Sequence, residues 1–125
     1  MSADTPLPSD ALARIFHEPN RLAIVSAVCA ADRGIAFTAL RDACGLTDGN
    51  LNRHLKVLEE AGVIRVDKAF VDDRPRTTLR LTKKGFSRFS DYLAALGAVL
   101  ERARAALPAA RPMANAAAWA KPVRA

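Results

Sequence analysis

The side chains of this chain with the most chemistry to offer are Asn50, Asn52, Arg53 and Lys56, set beside Thr47 and Gly49 in the stretch LTDGNLNRHLKVLEEAGVI, residues 46–64. None of them is a nucleophile or a general base near neutral pH. Amides and cations of this kind match the donor and acceptor edges of bases and the oxygens of phosphates, which is the chemistry of recognition. A second group, Arg74, Arg76 and Thr77, lies about twenty residues further on around Pro75. The 2 histidines, His17 and His54, have no paired acid or base in sequence, and no Ser-His-acid set or phosphate-binding glycine pattern occurs, so the sequence argues against an enzyme.

A helix must present the first group. Thr47 suits an N-cap, because its hydroxyl can accept an orphan N–H of the first turn, and Gly62 suits the left-handed residue that ends a helix. Leu51, Leu55 and Leu58 recur at i, i+4, i+7, so one stripe faces a core and the polar residues fall on the opposite face. Glu59 and Glu60 sit at the far end, where their charge opposes the helix dipole and any anion. The N-terminal half is the part suited to approach a polyanion. An ordinary amphipathic surface helix is the competing reading, and the neighbouring elements decide between the two.

Upstream, Ser9 is expected to cap a short helix through His17, and a helix runs from Asn20 to Ala31 with Leu22, Val25, Val28 and Cys29 facing inward. Gly34 to Phe37 reads as a minimal strand, and Thr38 as the N-cap of a short helix in which Leu40 and Cys44 share a face. Gly45, Leu46 and Thr47 then leave a three-residue connection to the polar helix, the layout of a helix-turn-helix. Past Gly62 the pattern turns extended. Val63, Ile64, Val66 and Phe70 form one strand and Thr77, Thr78, Leu79 and Leu81 another, joined by a long polar tip, Val71 to Arg76, held open by Pro75. Such a hairpin beside a helix-turn-helix is a wing, and its arginines can follow a sugar-phosphate backbone or enter a minor groove.

The whole chain fits this picture. At 125 residues it is one domain, with 50% hydrophobic and 26% charged residues and a mean hydropathy of +0.02, a globular and soluble composition. The net charge of +6 is unevenly placed: 4 basic and 6 acidic residues in 1–48 give −2, 10 and 5 in 49–88 give +5, and 5 and 2 in 89–125 give +3. Positive charge begins where the polar helix begins, which favours a polyanionic partner. No membrane-length apolar run and no signal-peptide pattern is present, so a cytoplasmic protein is expected. The 2 cysteines, Cys29 and Cys44, suit buried inert thiols, with a redox or metal role as the alternative; no close ligand pair argues for metal.

With these residues in place, the sequence resembles the winged-helix transcriptional regulators related to the MarR and ArsR groups. The likeness rests on PNRLAIVSAV at 19–28, FTALRDACGLTDGNLNRHLKVLEEAGVI at 37–64 and RPRTTLRLTKKG at 74–85. It implies that Asn50, Asn52, Arg53 and Lys56 lie in a DNA major groove and that Arg74 and Arg76 lie on the wing. Pro75 departs from the MarR pattern, which often has an arginine there, and the cysteine-rich metal motif of metal-sensing ArsR members is absent. His54 looks like a histidine often found in this helix in the ArsR group, but it borders the leucine stripe, where a packed role is at least as well suited.

The last helix, capped by Thr82, carries Phe86, Phe89, Leu93, Leu96, Leu100, Ala103 and Leu107 at alternating spacings of three and four, with Tyr92 and Val99 on a flank. A partner helix is expected there, with Phe89, Leu93, Leu96, Leu100 and Ala103 at a homodimer interface; the alternative is a long helix folded back on its own domain, with the phenylalanines packed on the winged helix. The expected whole is a mainly helical α+β winged helix-turn-helix: a flexible arm at 1–8, a DNA-binding domain at 9–81, a dimerisation helix at 82–107 and a mobile basic tail at 108–125. Its expected function is sequence-specific binding of double-stranded DNA as a homodimeric repressor, without cofactor; a small-molecule effector would have to sit between winged helix and dimer helices. The alternative is a winged helix used for protein–protein contact.

Overall fold

The structure, a computed structural model, describes residues 10–108. The expected N-terminal arm at 1–8 and, apart from Pro108, the expected tail fall outside them. Five helices and three strands follow one another as α1 (Ala11–Phe16), α2 (Pro19–Ala30), β1 (Ile35–Ala36), α3 (Phe37–Cys44), α4 (Asp48–Glu60), β2 (Ile64–Val71), β3 (Arg74–Leu81) and α5 (Lys83–Ala106). The strands form an antiparallel sheet in the order β1-β3-β2. Among the described residues no helix is long and apolar enough to cross a membrane.

The helix ends follow local hydrogen bonding, and three starts differ from expectation. Asp10, not Ser9, caps α1, its carboxylate accepting the Ala13 N–H at 2.8 Å. That bond, and a second from Arg88 of α5 at 2.6 Å, hold the Asp10 carboxyl below its ordinary pKa. Glu18 caps α2 in the same way through the Arg21 N–H, so this helix opens at Pro19, one residue before the expected Asn20. α3 begins at Phe37, one residue before Thr38 could cap it, and its N-cap Ala36 offers no side-chain bond. The cause is the sheet: Ile35 and Ala36 pair with Leu79 and Thr78 of β3, so the chain stays extended to Ala36 and turns helical at once.

The wing also differs. Its tip is a two-residue turn, Asp72–Asp73, both residues at positive φ (52° and 64°), rather than a six-residue loop. That geometry is the hairpin turn whose twist matches the strands, and Asp is among the residues that tolerate it. β3 therefore starts at Arg74, with Pro75 inside it opposite Phe70. Next to a two-residue turn the pairs alternate between hydrogen-bonded and non-bonded, so Val71–Arg74 closes the ladder and Phe70–Pro75 is a non-bonded pair. β1 reaches only Thr78 on the other side, so no neighbour asks Pro75 for the N–H it lacks.

The core draws one stripe from each helix. Phe16 of α1, Ile24, Val25 and Val28 of α2, Leu40 of α3, Leu51, Leu55 and Leu58 of α4, Val63, Ile64, Leu79, and Phe89 with Tyr92 of α5 are all buried. Phe16 meets Phe89 edge-on at 5.2 Å and Tyr92 at 5.6 Å between ring centres. The Tyr92 hydroxyl, its pKa raised by burial, lies 2.5 Å from Nδ1 of His17, the C-cap of α1. Cys29 and Cys44 are half-buried against this core, and burial raises the Cys44 pKa.

This packing corrects one part of the interface expected on α5. Phe89 is 2% exposed within its own chain, because the first turns of α5 complete the domain core. Gly85 makes that possible: a Cβ there would stand 2.1 Å from the Val63 carbonyl oxygen, whereas at Gly97 it would meet nothing within 4 Å. Gly85→Ala is accordingly expected to destabilise by about 1–3 kcal/mol through overpacking, and Gly97→Ala to stabilise by roughly 0.5–1 kcal/mol through helix propensity, both read from urea-unfolding midpoints.

Candidate nucleic-acid interface

α4 ends and begins as its sequence requires. The Thr47 hydroxyl accepts the Asn50 N–H at 3.1 Å, and Asp48 stands in the first turn, where the dipole favours an acid. At the other end the Gly62 N–H donates to Glu59 and the Val63 N–H to Leu58, with Gly62 at φ 78°, a complete left-handed stop. Leu51, Leu55 and Leu58 are buried, so the opposite face is turned outward.

On that face Gly49, Asn52, Arg53 and Lys56 are exposed and Asn50 is half-buried. The Arg53 guanidinium donates to the Asn50 side-chain oxygen, so the two form one polar unit at the front of the helix. A Cβ on Gly49 would meet nothing within 4 Å. No packing within the chain asks for glycine there. Thr47 has its hydroxyl oxygen engaged in the cap, leaving the hydroxyl proton to be donated outward.

α3 holds this helix in place. Arg41 donates from Nη1 to Asp48 at 2.9 Å and from Nε to Asp42 at 3.0 Å, and these bonds, the Asp48 one foremost, raise its pKa. Arg41 and Asp48 stand seven residues apart across the Gly45 turn, whose φ of 66° folds the chain back. Sequence reasoning missed this pair; the opposite charges flanking a tight turn were its signal. His54 is a packing residue: its side chain is mostly buried, with Nδ1 3.4 Å from Nη1 of Arg21 and 4.0 Å from Glu18.

The wing stands beside these helices. Arg74 and Arg76 are exposed and Thr77 is half-buried, and the three line an open groove of about 870 Å³ with Ala36, Phe37 and Thr38 at the start of α3. Thr38, freed from capping, thus faces the wing. Lower on the hairpin Asp67 binds Arg80 at 2.9 Å and Arg65 at 3.2 Å, so those two arginines serve the fold. Among the described residues no group of His, Cys, Asp and Glu could hold a metal ion.

A helix-turn-helix whose second helix turns a polar, cationic face outward, followed by a two-stranded wing bearing arginines, defines a winged helix built to meet nucleic acid. Residues 20–100 match the family described as winged helix DNA-binding domain, and the chain belongs to that family. A transcriptional regulator homologue from Pyrococcus horikoshii has the same fold at a TM-score of 0.65 and 33% identity, covering 70% of this chain and 86% of that one. The transcriptional repressor CouR, solved bound to a 23-mer DNA duplex, shares the fold at a TM-score of 0.60 and 22% identity over 87% of this chain and 81% of its own. An uncharacterised protein of Methanocaldococcus jannaschii is 40% identical over 57 residues, which are 46% of this chain and 62% of that protein, so the match spans under two thirds of its length. The fold is that of the MarR-type regulators, and the family to which the chain belongs is described as a DNA-binding domain.

Gly49→Ala separates fold from recognition. It is expected to raise unfolding stability by up to about 1 kcal/mol, as alanine replaces glycine in an open helix position. The same methyl is expected to weaken duplex binding in a mobility-shift titration.

Proposed function

We propose that the chain is a sequence-specific transcriptional repressor that binds double-stranded DNA as a homodimer, with the front half of α4 in the major groove and the wing on the backbone or in the adjoining minor groove. The observation that carries this reading is the outward face of α4, where Asn50, Asn52, Arg53 and Lys56 lie ahead of Glu59 and Glu60 at the far end. A module for protein contact would want apolar residues there. CouR, a repressor with the same fold and a DNA duplex bound, supports both the partner and the direction of regulation. Repression then needs only occupancy, since a protein seated on a promoter excludes polymerase.

Residues 9–81 form the DNA-binding unit in this reading and residues 82–107 the dimerisation helix. With Phe89 inside the domain, the stripe left for a partner is Phe86, Leu93, Leu100 and Leu107, seven residues apart and 57%, 42%, 49% and 54% exposed, flanked by half-buried Leu96 and by exposed Ala103. Apolar side chains repeating every heptad along an exposed helix seek a second helix, and two identical chains supply it about a two-fold axis. The axis sets two α4 helices on one duplex face, with half-sites about 10 base pairs apart or a multiple of it.

Two measurements test this. Arg53→Ala is expected to cost on the order of 1–3 kcal/mol on the preferred duplex and to relax preference at one base pair, read by competition titration; equal weakening on all sequences would make Arg53 a phosphate contact, and no weakening would remove α4 from the interface. Leu93→Glu with Leu100→Glu is expected to sediment as a folded monomer that has surrendered most of its specific affinity, against a dimer for the unaltered chain. A monomeric unaltered protein that binds a single half-site tightly would end the dimer reading.

A further inference from the structure

Phe70 is 78% exposed, the most exposed of the large apolar side chains among the described residues, and the recognition surface described so far makes no use of it. Register fixes where it points. β2 and β3 pair Ile64 with Leu81, Val66 with Leu79, Lys68 with Thr77 and Phe70 with Pro75. Because side chains alternate across a strand, these pairs share one face of the hairpin. Its inner part packs on the helices, with Ile64 and Leu79 buried. Its outer part, Phe70 with Pro75, overhangs on that same side, beyond the support of the domain. The other face carries Arg76 opposite Ala69 and Arg74 opposite Val71. The exposed ring thus shares its face with Lys68, and Arg74 and Arg76 stand on the reverse of the same hairpin, with the acidic turn Asp72–Asp73 past them.

The partner that matches this pattern is anionic at its rims and apolar within. A duplex groove is built that way, with phosphates along its edges and deoxyribose rings on its walls. A protein partner would have to set acids on both sides of an apolar pocket, and no observation points to one; a duplex is the partner that the outward cationic face of α4 also suits. The acidic turn is repelled by phosphate, so the hairpin meets the groove with its side rather than end-on, and the side that overhangs is Phe70. Its two-residue turn and the proline opposite stiffen the ring's mounting before any contact is made.

Resting on the reading that the chain binds duplex DNA, we infer that Phe70 is an apolar contact of the wing, packed against the deoxyribose wall of the minor groove beside the recognition site while Lys68, Arg74 and Arg76 hold the flanking phosphates. Apolar side chains at the minor groove act through shape and the local form of the duplex rather than through base hydrogen bonds. Phe70 therefore adds affinity that salt does not screen.

The experiment uses the full chain and a duplex that the unaltered protein selects from a randomised pool. Phe70→Ala is expected to bind that duplex about tenfold more weakly with an unchanged slope of log affinity against log salt, and Phe70→Leu to stay within about threefold, since the wall needs bulk and not aromaticity. Arg74→Ala with Arg76→Ala is expected to flatten the slope by about 0.9 for each phosphate no longer neutralised. Unaltered affinity for Phe70→Ala, alongside weakened binding by Arg53→Ala, would overturn this inference and leave the DNA-binding reading standing; unaltered affinity in both would remove that reading. A weaker Phe70→Ala complex that comes with a lower urea midpoint or altered sedimentation would place the ring in the fold or at a protein contact, and would likewise overturn the inference.

Discussion

The close approach of the Gly62–Val63 turn to Thr82 and Gly85 is the constraint on which the rest of the molecule depends. The Thr82 hydroxyl lies 2.6 Å from the Gly62 carbonyl and 3.1 Å from that of Val63, and its oxygen also accepts the Gly85 N–H at 2.9 Å. The Thr82 N–H donates to Val63 as well. One threonine thereby closes the hairpin, caps α5 and fastens both to the end of α4. Gly85 lets the backbones approach to a distance that a methyl group would forbid. Where α4 stops, where the wing starts and in which direction α5 leaves are settled together at this joint.

Charge is divided between the fold and the surface in the same way. The net +6 of the chain overstates what is offered to a partner. Arg21 donates to the Ile15 carbonyl, Arg41 ties α3 to α4, Arg65 and Arg80 hold Asp67, and Arg88 holds the cap of α1. The cations that remain at the outward faces of α4 and the wing are Arg53, Lys56, Lys68, Arg74 and Arg76. A basic total thus resolves into internal pairs that position two helices and a hairpin, and a smaller set of side chains turned toward solvent.

α5 serves two ends with one pattern. Its apolar residues recur as a single heptad-like series from Phe86 to Leu107, yet they part company in space. Phe89 and Tyr92 turn into the domain, where Phe16 meets both rings, while Phe86, Leu93, Leu100 and Leu107 stay in the open. Leu96 lies between the two, half-buried against the core. The winged helix is complete without a second chain, and the helix that completes it keeps an apolar stripe beyond what its own domain covers.

Local chemistry made much of this legible in the sequence. Thr47, Gly62 and Thr82 mark helix ends because a hydroxyl oxygen and a left-handed glycine satisfy orphan backbone groups wherever they stand, and the leucines of α4 mark its buried face through spacing alone. Tertiary structure decided what depends on a partner distant in the chain. Thr38 has no capping role because β1 must pair with β3 up to Ala36, and Pro75 entered a strand because β1 ends before reaching it. The wing tip shrank to Asp72–Asp73 because the register with β2 carries pairing through to Val71–Arg74. Phe89 left the exposed stripe because Gly85 brings α5 down onto the Gly62–Val63 turn, which sets Phe89 against Phe16 of α1. Periodicity determines that a side chain faces something; which body it faces is fixed only when the elements close on one another.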